Sequence, residues 1–253
     1  MIYALTNAAN SGLTAAPTLV ALAVAALTLG AFFIIEHRSE VPLMPLGFLR
    51  RGTVFVANAI GLLLSAAVYG LIFMLSLYWQ QIKAYPALNA GLAFVPASLI
   101  FFFVGGFAVA RLIKRFGIKA VLVASMIVIT TSFLLFSQLS ISESYFALLP
   151  AVIIFALGGA VGFTAFTIAA VDSAQLGEEG LASGLANTAG EVGGPIGIAV
   201  VVTIIGAATR GFANMNSSDT LIAGFRYGFM AAAILTGIAL VLALLIRQPK
   251  QRG

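Results

Sequence analysis

The sequence is poor in charge and has no cysteine. Its 253 residues include no Cys, one His and only 8% Asp, Glu, Lys and Arg, whereas about a quarter of the residues of a soluble domain are charged. The absence of Cys excludes disulfides and thiolate metal sites. The chain also has no G-x-x-x-x-G-K-[ST] loop, so direct use of ATP is not supported. We therefore expect a protein without metal, cofactor or catalytic residues, and not an enzyme.

The remaining positive charge does not indicate a nucleic-acid partner. The isoelectric point is about 9.8, but a nucleic-acid binder gathers its Lys and Arg on one solvated face. Here these residues are scattered in short segments between apolar runs. We expect no nucleic acid and look to membrane topology for the cause of the charge.

Long apolar runs dominate the chain. Hydrophobic residues make up 61% of it, in runs of about 20 residues or more, enough to cross a hydrocarbon core of roughly 30 Å as helices. The runs do not alternate as barrel strands would. We predict an all-α membrane protein with about seven transmembrane helices, at approximately 17–35, 53–79, 88–110, 118–138, 144–170, 181–208 and 223–246.

The distribution of Lys and Arg predicts the orientation of these spans, because cytoplasmic loops retain positive residues. The even-numbered connections hold only Lys83 and Arg210, while ten basic residues fall on the opposite side: Arg38, Arg50, Arg51, Arg111, Lys114, Arg115, Lys119, Arg247, Lys250 and Arg252. We expect the N-terminus outside and the C-terminus in the cytoplasm. The N-terminal residues do not resemble a signal peptide, so an odd number of spans that begins outside favours the tail of something longer.

The connections divide the chain into two parts. Residues 36–46 are charged and then proline-punctuated, which is typical of a linker. We expect residues 1–52 to hold an extracellular stretch, one linker helix and this cytoplasmic linker, and residues 53–253 to form a six-helix bundle with a short tail. His37, inside the charged linker, is interpreted as a surface histidine. Tyr78 and Trp79 are interpreted as an aromatic belt at the outer membrane interface.

One predicted helix, 181–208, carries the most informative pattern. Its interior contains a single acid, Glu191, where an ionised group is costly and indicates function by default. Pro195 frees the carbonyl of Glu191, four residues earlier. Helical spacing puts Gly184, Asn187, Glu191, Gly194 and Ile198 on one face. This polar face is expected to look into a cavity or against another helix rather than towards lipid.

Glycine pairs on the same helix predict close packing. Gly190 and Gly194 are four residues apart, as are Gly193 and Gly197, so we expect other backbones to approach this helix from two sides.

Two interpretations of Glu191 remain open: a buried, permanently neutral acid bonded to a neighbouring helix, or a group that exchanges a proton as water reaches it from alternate sides. Asn58, Ser65 and Tyr69 are candidates for lining a central path or for interhelical hydrogen bonds.

Four segments in order resemble the major facilitator superfamily, in particular its fourteen-helix drug/proton antiporters. They are residues 33–42 (FIIEHRSEVP), 78–91 (YWQQIKAYPALNAG) with Pro96 following, 111–119 (RLIKRFGIK) and 180–199 (GLASGLANTAGEVGGPIGIA). The resemblance implies that the seven spans correspond to the eighth to fourteenth helices of that family. The chain would then be a six-helix half-bundle preceded by one linker helix, and would lack its N-terminal six-helix half.

The third segment resembles the family's cytoplasmic loop motif. Arg111, Arg115, Gly117 and Lys119 match the motif, but Lys114 stands where the family has an acid. The resemblance therefore does not imply a salt-bridge latch in this copy.

The resemblance also implies a function. We expect part of a cell-membrane efflux transporter that exchanges protons for lipophilic or cationic drugs by alternating access, with the lipid bilayer, protons and small molecules as partners. The alternatives are a truncated or split half that acts only as a structural or interaction partner, and a seven-span receptor. A retinal protein is disfavoured because the last span has no lysine for a Schiff base.

Overall fold

The structure is a computed structural model. It describes residues 52–138, 140, 144–175, 177–211 and 217–246, together with twelve separate positions before residue 52. The chain divides into two units, Met1–Arg51 and Gly52–Gly253. In the first unit the described positions from 16 to 35 are helical. The rest of the predicted first span, the linker at 36–46 and His37 lie outside the described residues.

The second unit is built from helices, and its described residues contain no strand. In chain order the helices are α1 (Gly52–Leu77), α2 (Ala87–Leu92), α3 (Val95–Phe103), α4 (Val109–Phe116), α5 (Ile118–Phe136), α6 (Tyr145–Asp172), α7 (Glu179–Gly211) and α8 (Ser217–Leu245). Two π-helical turns, Tyr78–Ile82 after α1 and Val104–Ala108 between α3 and α4, extend these helices.

Six helical segments among the described residues are long and apolar enough to cross a membrane. They are Gly52–Ile82, Ala87–Phe116, Ile118–Phe136, Tyr145–Asp172, Glu179–Ala208 and Asp219–Leu245. These agree in number and order with the six spans expected after residue 52, so the predicted all-α membrane bundle is confirmed. Pro96 is the second residue of α3, after a break at Ala93 and Phe94. Pro150 and Pro195 lie within α6 and α7.

Residues 111–117, expected to connect two predicted spans, are mostly helical. Helix α4 continues through Arg111 and Arg115 to Phe116, and the chain reverses at Gly117 alone, with φ +80°. Lys and Arg are good helix formers, and cations in the last turn favour the negative end of the helix dipole. Gly117 then supplies the positive φ that ends the helix.

Helix α1 is the central element of the bundle. Its buried side chains include Ile60, Leu64, Leu71 and Met74, each with no exposed surface. Helices α7, α8 and α6 all pack against it. The spans Ala87–Phe116 and Glu179–Ala208 are the least buried of the six, so these two present the largest free faces in the described part of the bundle.

Tyr78 and Trp79 are not the interfacial belt that the sequence indicated. Their exposed fractions are 0% and 1%. The Trp79 ring stacks on Tyr85 at 5.5 Å between centroids and also contacts Tyr78 and Tyr145. The Tyr145 hydroxyl donates to the carbonyl of Ala93 at 3.3 Å. These rings form a buried cluster that fastens the end of α1 to the segments beside it.

Candidate functional site

The glycines of α7 are packed directly against the backbone of α1. A Cβ built at Gly193 would overlap the carbonyl oxygen of Leu62, and one built at Gly197 would overlap that of Ala66. One turn further along, Gly70 faces Val201. Because the contacts advance in the same direction along both helices, α1 and α7 run parallel, and only glycine allows them to lie this close.

Gly190 and Gly194 face α1 as well. A Cβ at Gly190 would lie 3.5 Å from Ser65 Oγ, and one at Gly194 would lie 3.1 Å from Tyr69 Cγ. The expectation that the two glycine pairs serve two different sides of the helix is therefore wrong. At about 100° per residue the pairs are only about 60° apart on the helix surface, so one neighbouring helix covers both.

Two polar atoms of α1 are buried without a hydrogen-bond partner in the described part of the chain. They are Asn58 Oδ1 and Ser65 Oγ. Asn58 uses its Nδ2 to donate to the Val54 carbonyl of its own helix at 2.8 Å. Ser65 is fully buried, so it faces the contact between α1 and α7 rather than an open path. This contact, of Gly190, Gly193, Gly194 and Gly197 with α1, is here called the glycine seam. Seven residues separate Asn58 from Ser65, which places both on one side of α1.

Glu191 and Asn187 lie on the free side of α7. Both side chains are exposed, whereas Ala186, Ala189 and Gly193 on the same helix are buried. In the described chain the Glu191 side chain is exposed, and both interpretations of this acid stay predictions. The predicted polar face of α7 is only partly exposed. Gly184 is exposed like Asn187 and Glu191, but Gly194 is covered by Tyr69.

Tyr69 connects the glycine seam to this free side. Its ring rests on Gly194, yet 42% of the residue is exposed. Gly194 is three residues after Glu191 and seven after Asn187, so all three belong to one face of α7. Tyr69, Asn187 and Glu191 therefore border the same open edge of the α1–α7 pair, where an aromatic ring, an amide and a carboxyl are available to a ligand. Pro195 is half-buried beside them.

The residues of the basic loop motif lie along α4 and at the start of α5. Arg111 and Arg115 are exposed, and Lys119 is half-buried in the first turn of α5. The Arg115 guanidinium carbon lies 5.3 Å from the centroid of the Phe116 ring. Arg226 lies nine residues into α8, which begins at Ser217.

Comparison with known proteins identifies the family. The family model of the Major Facilitator Superfamily matches residues 8–198. The chain belongs to the Major Facilitator Superfamily. Members of this superfamily are membrane transporters of small molecules and not enzymes, and the six membrane-spanning helices of the structure form the corresponding all-α half.

Several curated relatives within the superfamily are drug-resistance proteins. The methylenomycin A resistance protein of Streptomyces coelicolor is 30% identical over 203 residues, which are 80% of this chain and 42% of the relative. The lincomycin resistance protein of Streptomyces lincolnensis is 32% identical over 91% of this chain and 46% of the relative. The multidrug efflux pump LfrA of Mycolicibacterium smegmatis is 28% identical over 83% and 41%. The chain spans about half the length of the curated relatives it matches.

Three phenylalanines in the middle of the span Ala87–Phe116 are exposed, although the sequence did not mark them as functional. Phe102, Phe103 and Phe107 are 66%, 58% and 59% exposed, and their rings contact one another. The signal for them was the run LIFFF at 99–103. In a membrane span such a run fits a lipid-facing surface and a buried one equally well, so only the packing of this major facilitator half distinguishes them.

Proposed function

We propose that the chain is the C-terminal half of a proton-coupled efflux transporter, which exports lipophilic or cationic compounds by alternating access. Residues 53–253 would form one six-helix bundle and residues 1–52 would carry a linker helix. The described helices and the family support this assignment, and relatives named as a multidrug efflux pump and a cephamycin export protein support efflux.

The observation that carries the proposal is the position of Glu191. It is the single acid of Gly52–Gly253 that lies in the interior of a candidate span, since Asp172, Glu179 and Asp219 lie at span ends. An ionised carboxylate at membrane depth is costly, and binding a proton removes that cost. In the proposed mechanism, Glu191 on the open edge beside Tyr69 would take up a proton from one side and release it to the other as the bundle rocks.

The second bundle would be an N-terminal six-helix half. The half coverage of the relatives supports this partner, and the free face of Glu179–Ala208 is available to it. The uneven distribution of Lys and Arg supports an outside N-terminus and a cytoplasmic C-terminus. A substrate held between two such halves would meet the Tyr69 ring on this side, which suits an apolar or cationic molecule.

The test compares Glu191→Gln with Glu179→Gln in the complete transporter, assembled with an N-terminal half in everted membrane vesicles. We expect E191Q to abolish efflux driven by a pH gradient while substrate exchange without a gradient continues. E179Q, a matched change at the exposed start of α7, should retain both activities. Coupled efflux that survives in E191Q would exclude the proposed role of this carboxyl.

A second candidate is a half that acts only as a structural or interaction partner. The length of the chain, about half that of its relatives, favours considering it. Vesicles prepared with this chain alone should show no efflux under either candidate, and adding an N-terminal half separates the two. Efflux by the chain alone would contradict the division of the transporter into two halves, and efflux that never appears even with an N-terminal half would favour the structural role.

A further inference from the structure

The span Ala87–Phe116 carries an exposed aromatic patch in its middle. The ring centroids of Phe102, Phe103 and Phe107 lie 5.3 to 6.5 Å from one another. All three side chains are more than half exposed. The π-helical turn Val104–Ala108 between α3 and α4 lies within this patch. Within a membrane span, an exposed apolar surface of this kind lies against acyl chains or against another helix.

A cluster of cations continues directly from this patch. Arg111 Nη1 donates to the carbonyl of Phe107 at 3.2 Å, which holds its guanidinium one helical turn from the phenylalanine rings. Lys114 and Arg115 follow on the same short helix, and both are exposed. Rings and cations thus form one continuous surface, here called the Phe–Arg surface and defined by Phe102, Phe103, Phe107, Arg111, Lys114 and Arg115.

No neighbouring acid in the sequence compensates these cations. The chain contains no Asp or Glu between Glu40 and Glu143. A basic cluster at the end of a membrane helix attracts anionic lipids by about 1 kcal/mol per Lys or Arg, and a guanidinium can bind a phosphate through two parallel hydrogen bonds.

We propose that the Phe–Arg surface binds an anionic phospholipid, with its acyl chains on the three phenylalanine rings and its phosphate between Arg111, Lys114 and Arg115. The surface matches such a lipid in both of its chemical parts, because the apolar section lies within the span and the cationic section at its end. This assignment is independent of transport and of which membrane leaflet the surface meets.

Two different roles for the Phe–Arg surface would give different lipid binding. If the cations serve only to retain this end of the helix on one side of the membrane, zwitterionic and anionic lipids should bind equally. If the rings are covered by another protein segment in the complete transporter, lipid should be excluded from them there. Lipid retention by the chain distinguishes the first role from the proposal, and fluorescence quenching in the complete transporter distinguishes the second.

The first experiment measures lipid retention by the purified full chain. The chain is exchanged into detergent with phosphatidylcholine or phosphatidylglycerol, and bound lipid is counted by native mass spectrometry. We expect selective retention of phosphatidylglycerol. The R111Q/K114Q/R115Q variant should lose that preference by on the order of a hundredfold, from about 1 kcal/mol per basic residue and about 1.4 kcal/mol per tenfold.

The matched control keeps the charge and changes the side chains. In R111K/K114R/R115K the preference for phosphatidylglycerol should persist, and circular dichroism should show equal helicity in all three proteins. Equal retention of both lipids by the unchanged chain, or a preference that survives in the glutamine variant, would overturn the proposal. Inorganic phosphate that displaces the lipid completely would also overturn it, by showing a simple anion site.

The second experiment locates the lipid. Because the chain has no Cys, Ala110→Cys gives a unique label position on the exposed side of α4 beside Arg111. Brominated phosphatidylglycerol should quench a fluorophore there more strongly than brominated phosphatidylcholine, in this chain and in the complete transporter. Loss of quenching in the complete transporter would overturn lipid binding there, by showing that protein covers the surface.

Discussion

Gly197 lies directly against the main-chain carbonyl of Ala66, and a Cβ at residue 197 would occupy the same space as the carbonyl oxygen. Together with Gly193 and the carbonyl of Leu62, this contact fixes the spacing and the register of α1 and α7. The neighbours are backbone atoms, which have no rotamer into which to move. The seam therefore responds to substitution differently from a contact between side chains.

Gly197→Ala should destabilise the bundle. The added methyl forces α7 away from α1 at an overpacking cost of about 1–3 kcal/mol, which exceeds the gain of about 1 kcal/mol for Ala over Gly in a helix. Gly184→Ala is the matched control, since nothing lies within 4 Å of a Cβ there, and it should be neutral or slightly stabilising. Thermal unfolding in detergent, followed by circular dichroism, compares the two. Equal melting temperatures would show that α1 and α7 are not in backbone contact.

Gly158→Ala should cost more than Gly61→Ala. A Cβ at Gly158 in α6 would lie 2.7 Å from the backbone nitrogen of Ile129 in α5, whereas at Gly61 it would meet the ring of Phe166. A ring can shift at its far end, but a helix backbone cannot without moving the helix. The difference is measured by urea or thermal unfolding of both variants beside Gly237→Ala, which has open space. A larger loss for Gly61→Ala would contradict this ranking.

Removing the hydroxyls of Thr130 and Thr236 should reveal a modest coupling between α5 and α8. Thr130 Oγ1 donates to Thr236 Oγ1 at 2.9 Å, and Thr236 in turn donates to carbonyls of its own helix. Interhelical hydrogen bonds of this kind average about 0.6 kcal/mol in membrane proteins. A double-mutant cycle with both residues changed to Val measures the coupling. Thr131→Val, at an exposed residue bonded within α5, should change stability little.

The fluorescence emission of Trp79 should reveal the effect of substitutions in the buried ring cluster. It is the single Trp of the chain and is buried, so its emission should be blue-shifted in the folded protein. Tyr145→Phe removes the hydrogen bond to Ala93 and should lower stability by about 0.5–1.5 kcal/mol. Tyr227→Phe, at an exposed tyrosine, serves as the control. An emission maximum typical of water-exposed tryptophan would contradict the buried cluster.

The apolar runs of the sequence are sufficient to predict the six helices, but polar residues at helix ends obscure the boundaries. The basic character of residues 111–116 indicates a turn, although basic residues also suit the last turn of a helix. Hydropathy places the start of α8 too late because Ser217 and Asp219 are polar, although such residues favour a first helical turn. Both errors come from treating hydropathy as if it measured helix formation.

The candidate site can be predicted at the level of a helix face, and no further. Helical spacing shows which glycines of α7 share a side, but it cannot show that α1 covers Gly190, Gly193, Gly194 and Gly197. Nor can composition distinguish an interfacial Trp79 from a buried one, because that depends on Tyr85 and Tyr145 returning to its ring. Such facts depend on contacts between segments that are distant in sequence.

The parallel glycine seam has a mechanical consequence for Glu191. Backbone contacts hold α7 against α1. Neither helix can slide or turn about its own axis without separating from the other, so the two move as one rigid unit, here called a strut. The depth of the Glu191 carboxyl is then fixed relative to the Tyr69 ring. In a rocking bundle, access of water to this acid would change only when the whole strut tilts.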